Sequence, residues 1–110
     1  MNLVDLDTLA AKTTLMISTV GPYAQHGEAA FRACAENGTH YLDTTGEVAW
    51  VSLMIKKYEA VAKKNNCIMI PQCGLESAPS DLCVWAMAKQ ARERHNKQIG
   101  DTIVSVHEIT

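Results

Sequence analysis

The chain has 110 residues with a formal net charge of −2, and 47% of them are hydrophobic. Enough apolar surface is therefore present to offset the entropy lost on folding, which excludes an intrinsically disordered chain. Glutamates interrupt the lysines and arginines, so there is no basic stripe of the kind that binds nucleic acid. No stretch approaches the ~20 apolar residues that a membrane-spanning helix needs. The four cysteines form no C-x-x-C pair and lack the spacing of zinc ligands, which indicates free thiols in a reducing compartment.

The first half of the chain alternates between helical and strand patterns. Leucines at helical spacing predict a short helix at the start. An apolar run over 13–20 predicts a buried strand. Residues 27–37 predict a helix that stops at Gly38, because glycine tolerates the left-handed conformation. A second strand is expected over 39–43.

The second half continues the alternation. Apolar residues at intervals of three and one predict a helix over 51–62. Residues 67–70 predict a third strand, and Pro79 marks the first turn of a last helix. Weak alternation over 102–110 predicts a strand at the end of the chain. The inner face of the last helix is expected to carry Leu82, Trp85 and Ala86.

Strands separated by helical stretches of about 10–20 residues indicate βαβ crossovers and a mostly parallel sheet. In an open parallel sheet, ligands bind beyond the carboxyl ends of the strands. Three loops occupy that edge, over 20–23, 43–47 and 73–77, and each contains a glycine. Glycine is also ordinary at a strand-to-helix turn, so the loops predict a binding site only as a set.

Several motifs follow one another along the chain from about Leu15 to about Leu82. They are Thr19-Val20-Gly21-Pro22-Tyr23, Gly27-Glu28, Ala33-Cys34, Gly38, His40-Tyr41-Leu42-Asp43, Gly46-Glu47 and Gly74-Leu75-Glu76-Ser77-Ala78-Pro79-Ser80-Asp81-Leu82. In this order the motifs resemble the saccharopine dehydrogenase-like oxidoreductase family. The resemblance implies a Rossmann domain that binds NAD or NADP, followed by a second domain. It points to the branch of that family linked to lipid metabolism and membrane-associated reductases.

The resemblance also implies which loops border the cofactor. The turn after the first strand lies along the nicotinamide ribose, and the next loop borders the nicotinamide pocket. The implied cofactor-binding residues are Val20, Gly21, Pro22, Tyr23, Thr45, Gly46 and Glu47. The implied substrate-side residues are Glu76, Ser77 and Asp81. No catalytic residue and no metal ligand is assigned.

The chain departs from a complete Rossmann domain, because it contains no G-x-G-x-x-G turn for the pyrophosphate. The predicted fold is therefore α/β, a partial Rossmann-like doubly wound sheet that lacks its first βαβ unit. About three parallel strands with flanking helices are expected. Residues 1–98 would form the C-terminal half of the NAD(P)-binding domain, and 99–110 the start of a substrate or dimerisation domain. The residue that distinguishes NAD from NADP is not found.

These predictions favour a fragment of an NAD(P)-dependent oxidoreductase that is inactive in isolation. The larger protein would act on a small-molecule substrate, which the sequence does not name, and would be cytoplasmic or peripheral to an intracellular membrane. An alternative is a non-enzymatic partial domain whose exposed sheet edge is covered by a partner chain or a second copy. Another is an incomplete gene model without independent function.

Five residues have competing interpretations. Tyr23 either contacts the cofactor or packs within its loop. Glu47 and Glu76 are either acids with a raised pKa in a dry cleft or ordinary carboxylates near helix N-termini. His40 is expected to be structural or exposed, with a role in proton transfer as the alternative. Cys73 has no adjacent base that would make it a nucleophile.

Overall fold

The computed structural model describes residues 3–105 and divides into two compact units, one ending at Gly74 and the other beginning at Leu75. The first unit contains α1 (Leu3–Ala11), β1 (Leu15–Ser18), α2 (Tyr23–His26), α3 (Glu28–Asn37), β2 (His40–Asp43), α4 (Val48–Lys64) and β3 (Met69–Ile70). The second unit contains α5 (Ala78–His95). The predicted alternation of helices and strands is thus confirmed up to α5, except that the short helix α2 was not predicted.

The three strands form one sheet in the order β1-β2-β3, and both neighbouring pairs are parallel. Met16 of β1 lies opposite Tyr41 of β2, which in turn lies opposite Met69 of β3. This row faces the helices. The arrangement confirms the predicted α/β class, with parallel strands joined through helical crossovers.

The main core lies between the sheet and helices α3 and α4. Tyr41 is fully buried there, and the ring of Phe31 packs edge-on against it with 5.0 Å between the ring centroids. Met54 of α4 is also fully buried in this cluster. A smaller cluster joins α1 to α3 through Leu6, Ala10 and Ala33. Helices α3 and α4 therefore cover the same face of the sheet.

The opposite face of the sheet is exposed. Ile17 of β1 is 63% exposed and Ile70 of β3 is 49% exposed, and both flank the half-buried Leu42. The strand predicted as buried is therefore buried on one face only, because both crossover helices of the first unit pack on the other face.

Local signals at the helix ends agree with the structure in part. Gly38 ends α3 in the left-handed conformation with φ of 74°, as predicted, and its N–H donates to the carbonyl of Cys34. Helix α4 begins three residues before the predicted start at Val51, which lies on the buried side of the helix. Asn65 follows α4, and its side-chain amide donates to the carbonyls of Ala35 and Glu36, which joins the ends of α3 and α4.

The second unit differs from expectation in its packing. Pro79 lies in the first turn of α5, as predicted. The predicted inner face is wrong, because Leu82 is 61% exposed, Trp85 is 59% exposed and Ala86 is also exposed. The physical reason is that α5 has no second helix or strand within the described part of its unit to pack against.

The last predicted strand is not formed where it can be checked. Residues 102–105 are irregular, and the remainder of that prediction, 106–110, lies outside the described residues. The domain boundary predicted at 98/99 stays a prediction. Within 3–105, no helix is both long enough and apolar enough to span a membrane.

Candidate functional site

The carboxyl ends of the three parallel strands meet at one edge of the sheet. Three loops leave from that edge, and we call them the first loop (19–22), the second loop (44–47) and the third loop (71–74). The first two contain most of the residues implied as cofactor-binding. This edge is where ligands bind in open parallel sheets.

Glu47 joins the second loop to the first. Its Oε1 accepts a hydrogen bond from the backbone N–H of Tyr23 at 2.7 Å, and its Oε2 accepts one from the N–H of Ala24 at 2.9 Å. These N–H groups belong to the first turn of α2 and have no acceptor within that helix, so the carboxylate satisfies them. The carboxylate therefore lies at a helix N-terminus, but at that of α2 and not that of α4, which directly follows Glu47.

Asp43 joins the second loop to the third. Its Oδ1 accepts hydrogen bonds from the backbone N–H groups of Thr45 at 3.0 Å and Gln72 at 2.9 Å. Its backbone carbonyl accepts a third from the N–H of Cys73 at 2.9 Å. Sequence reasoning did not single out Asp43 as a site residue. The bond to Thr45 is a local turn that aspartate favours and could have been found, whereas the bond to Gln72 spans 29 residues.

Gly74 allows the third loop to lie directly on the second. A Cβ atom at this position would lie 3.2 Å from Cβ of Thr44 and 3.3 Å from its carbonyl oxygen. Most side chains would therefore push the two loops apart. The glycine in the third loop has a steric role between loops, in addition to ordinary turn chemistry.

Tyr23 is 5% exposed, and its side chain packs in the core beneath the first loop. The ring lies against Trp50 with 5.4 Å between centroids. The hydroxyl donates to the backbone carbonyl of Ser18 at 2.9 Å and lies 3.3 Å from Oγ1 of Thr44. Of the two interpretations of this residue, packing describes the side chain in this structure, and a contact with the cofactor stays a prediction.

Most of the remaining residues implied as cofactor-binding are exposed, and one is buried. Val20, Gly21, Pro22 and Gly46 are exposed at the edge of the sheet. Thr45 is 1% exposed, and its Oγ1 accepts the backbone N–H of Glu47 at 3.0 Å. The surface that a ligand can reach therefore includes the backbone of Gly21 and Gly46 and the side chains of Val20 and Pro22. Thr45 lies buried beneath this surface.

Buried polar atoms lie beneath these loops. The hydroxyl of Tyr41 and Oδ2 of Asp43 are buried without a hydrogen-bond partner among the described residues, and both side chains lie on the inner face of β2. Burial, with the neighbouring Asp43 carboxylate, raises the pKa of the Tyr41 phenol. Tyr41 is therefore neutral at physiological pH and does not serve as a base.

The implied substrate-side residues belong to the second unit. Ser77 directly precedes α5, and its carbonyl accepts the hydroxyl of Ser80 at 2.9 Å. Asp81 lies in the first turn of α5, and Glu76 is exposed. Their role toward a substrate stays a prediction.

Two further residues that the sequence singled out have local structural partners. The ring Nδ1 of His40 accepts the backbone N–H of Ile68 at 2.9 Å, which confirms the structural interpretation. Cys73 is exposed, and its thiol donates to the carbonyl of Ile70 at 3.2 Å. Burial raises the pKa of another thiol, Cys34, to about 12, which removes it from nucleophilic chemistry near neutral pH.

Comparison with known proteins agrees with the motif pattern. A family model described as the saccharopine dehydrogenase NADP binding domain matches residues 1–70. A lipid droplet localized protein of Caenorhabditis elegans is 39% identical over 84 residues, which are 76% of this chain and 20% of that protein. A trans-acting enoyl reductase of Mycobacterium tuberculosis is 35% identical over 97 residues, which are 88% of this chain and 23% of the reductase.

The chain thus spans about a fifth to a quarter of the length of these curated relatives. No solved structure matches it at a significant level. The family model covers 70 of the 110 residues and includes the first two loops of the site. On this match, the chain belongs to the saccharopine dehydrogenase NADP binding domain family.

Proposed function

We propose that this chain supplies the nicotinamide side of an NAD or NADP site in a larger oxidoreductase. The observation that carries the proposal is the arrangement of the first and second loops at the carboxyl edge of the sheet. The Glu47 carboxylate joins these loops through two backbone N–H groups, and Gly21, Pro22 and Gly46 remain exposed beside it. Membership of an NADP-binding family supports the same cofactor class.

The exposed backbone suits a flat ring. A Cβ atom at Gly21 would meet only the ring carbons of Tyr23, at 3.9 Å, among the described residues. The space in front of Gly21 is therefore open, and a nicotinamide ring or its ribose can approach the backbone closely. When bound, the dinucleotide supplies or accepts a hydride at that ring. The contribution of this chain is to hold and orient the ring.

In this proposal, the pyrophosphate of the cofactor is bound by residues outside this chain. The chain has no G-x-G-x-x-G turn, and that turn with its helix N-terminus normally binds the pyrophosphate. The 110-residue chain is therefore expected to bind the nicotinamide portion weakly, with a dissociation constant on the order of millimolar, and the whole dinucleotide hardly better.

The names of the relatives extend the proposal to the larger protein. One relative is described as a trans-acting enoyl reductase and another as a lipid droplet localized protein. We infer that the larger protein reduces a carbon–carbon double bond in a lipid-like substrate, at or near an intracellular lipid surface.

The test is a nuclear magnetic resonance titration of the ¹⁵N-labelled chain with nicotinamide mononucleotide. We expect saturable shifts of the amides of Gly21 and Gly46, with adenosine monophosphate at equal concentration as the control. Equal shifts with both nucleotides, or none in the first two loops, would overturn the proposal. A micromolar dissociation constant in a fluorescence titration of this chain with NADPH would overturn the claim that the pyrophosphate is bound outside this chain.

The exposed face of the sheet favours a second candidate, association with a partner chain. Leu15, Ile17 and Ile70 are each more than 40% exposed, and β1 and β3 are the edges of the sheet. Exposed apolar sheet faces and free edges promote association. Light scattering after size exclusion is expected to show a mass that rises with concentration. A monomer at all concentrations with cooperative thermal unfolding would contradict it.

A further inference from the structure

Asp43 stands at the centre of a continuous hydrogen-bond path through the candidate site. Its side chain is 1% exposed, and one carboxylate oxygen, Oδ1, accepts the N–H groups of Thr45 and Gln72 together. The path continues outward, since Oγ1 of Thr45 accepts the N–H of Glu47. Glu47 then accepts the N–H of Tyr23. All three loops are thus connected through two carboxylates.

We propose that Asp43 is a positioning residue that sets the spacing of the second and third loops. This inference rests on the proposed function, in which these loops border the nicotinamide ring. A single oxygen that accepts two N–H groups fixes those two donors at 3.0 and 2.9 Å from one point. The two loops therefore move together.

The backbone of the third loop is shaped for this contact. Gln72 has φ of 61°, a left-handed conformation that costs energy in a residue with a side chain. In that conformation its N–H reaches Asp43, and the next N–H, of Cys73, reaches the Asp43 carbonyl. Gly74 then lies against Thr44. Gln72 and Cys73 thus bond to Asp43, and Gly74 packs against the second loop.

The geometry of Oδ1, and not the charge of the carboxylate, carries this role. The second oxygen, Oδ2, has no hydrogen-bond partner among the described residues. An asparagine can keep a carbonyl oxygen at Oδ1 for both donors, and its amide group would replace Oδ2. The hydroxyl of Tyr41 lies on the same inward-facing side of β2, and it also has no hydrogen-bond partner among the described residues. Asp43→Asn should therefore preserve the loop spacing, whereas Asp43→Ala should not.

Amide hydrogen exchange of the 110-residue chain tests this without any cofactor. In Asp43→Ala we expect the amides of Thr45 and Gln72 to exchange about tenfold faster or more, because each N–H is left without its hydrogen-bond acceptor. Asp43→Asn should restore exchange to within about threefold of the wild type. Unchanged exchange in Asp43→Ala, or a failure of Asp43→Asn to restore it, would overturn the proposal.

Thr39→Ala is the matched control for a general loss of stability. Thr39 is as buried as Asp43, and its hydroxyl donates to the carbonyl of Ala10, away from the three loops. It should speed exchange across the fold without a local excess at Thr45 and Gln72. If Asp43→Ala does not fold, Asp43→Glu replaces it, since the longer side chain displaces the acceptor. Wild-type exchange in Asp43→Glu would then overturn the proposal.

The nucleotide titration separates this inference from the proposed function. Shifts of Gly21 and Gly46 in the wild type, lost in Asp43→Ala and retained in Asp43→Asn, would support both. If the exchange results are as expected but the wild type shows no such shifts, Asp43 still positions the loops and the proposed function fails. Shifts in the wild type that persist in Asp43→Ala would overturn the role of Asp43 and leave the proposed function standing.

Discussion

Gly27 lies between α2 and α3, directly against the aromatic core. A Cβ atom at this position would lie 2.8 Å from Cζ2 of Trp50 and 2.9 Å from the carbonyl oxygen of Tyr23. Both distances are well inside van der Waals contact, and one of the two neighbours is a backbone atom. Gly27→Ala therefore forces a shift of the Trp50 ring, of α2 or of both. We expect this substitution to destabilise the fold.

The magnitude follows from two opposing effects. Overpacking of a filled core costs about 1–3 kcal/mol. Gly27 lies between α2 and α3 with φ of −79° and ψ of −31°, which alanine adopts without strain, so the lower entropy of the unfolded chain offsets about 0.4–1 kcal/mol of that cost. The net loss in the free energy of unfolding then lies between about 0 and 2.6 kcal/mol, and we expect the upper half of this range because one neighbour is a backbone atom. For a chain of this size, a loss of about 1.3–2.6 kcal/mol corresponds to a fall in Tm of roughly 5–20 °C.

Thermal unfolding followed by circular dichroism measures this loss, with Gly100→Ala as the matched control. A Cβ atom at Gly100 would meet no described atom within 4 Å, so that variant should unfold within about 0.5 kcal/mol of the wild type. The near-ultraviolet signal of the Trp50 environment should also change in Gly27→Ala. A Gly27→Ala variant as stable as Gly100→Ala would refute the steric reasoning.

Two further predictions concern titration and thiol reactivity. Hydrogen bonds from Lys57 and then Tyr58 hold the pKa of Glu28 below its ordinary value of 4.5, so its contribution to stability is present above that value and lost as pH falls through the folded pKa. The urea midpoint of Glu28→Gln should therefore fall less between about pH 5 and pH 3 than that of the wild type, and parallel pH profiles would contradict this. Cys73 is exposed and should react rapidly with a thiol reagent, whereas the buried Cys34 should react only on unfolding. Mass spectrometry of the labelled, digested chain measures both rates, and early labelling of Cys34 would contradict its burial.

The candidate site was predictable from sequence in its location but not in its internal contacts. The order of strands and helices predicts three loops at one edge of a parallel sheet, and the structure has the loops over 19–22, 44–47 and 71–74 there. Residues 75–77 of the third predicted loop belong to the second unit. The family resemblance implied a cofactor role for Glu47, with an ordinary carboxylate near a helix N-terminus as the alternative. Its bond to the N–H of Tyr23 joins residues 24 positions apart, and only the assembled sheet brings them together.

The burial of individual side chains could not be predicted from the sequence in the same way. Nothing local distinguishes a tyrosine that faces a cofactor from one that faces a core, and Tyr23 is buried against Trp50. The apolar residues of α5 predicted an inner face, yet Leu82 and Trp85 are exposed. An apolar side chain can only be buried if another surface is present to cover it, and periodicity alone does not supply that surface.

The sequence by itself determined the features that depend on the backbone of a few neighbouring residues. The left-handed glycine that ends α3 and the proline in the first turn of α5 are examples, because their conformational preferences act locally. The motif order determined the family, which the comparison confirms. The tertiary structure alone decided that Asp43 and Glu47 hold three loops together, because hydrogen bonds between residues 24 and 29 positions apart form only after the strands are paired in register.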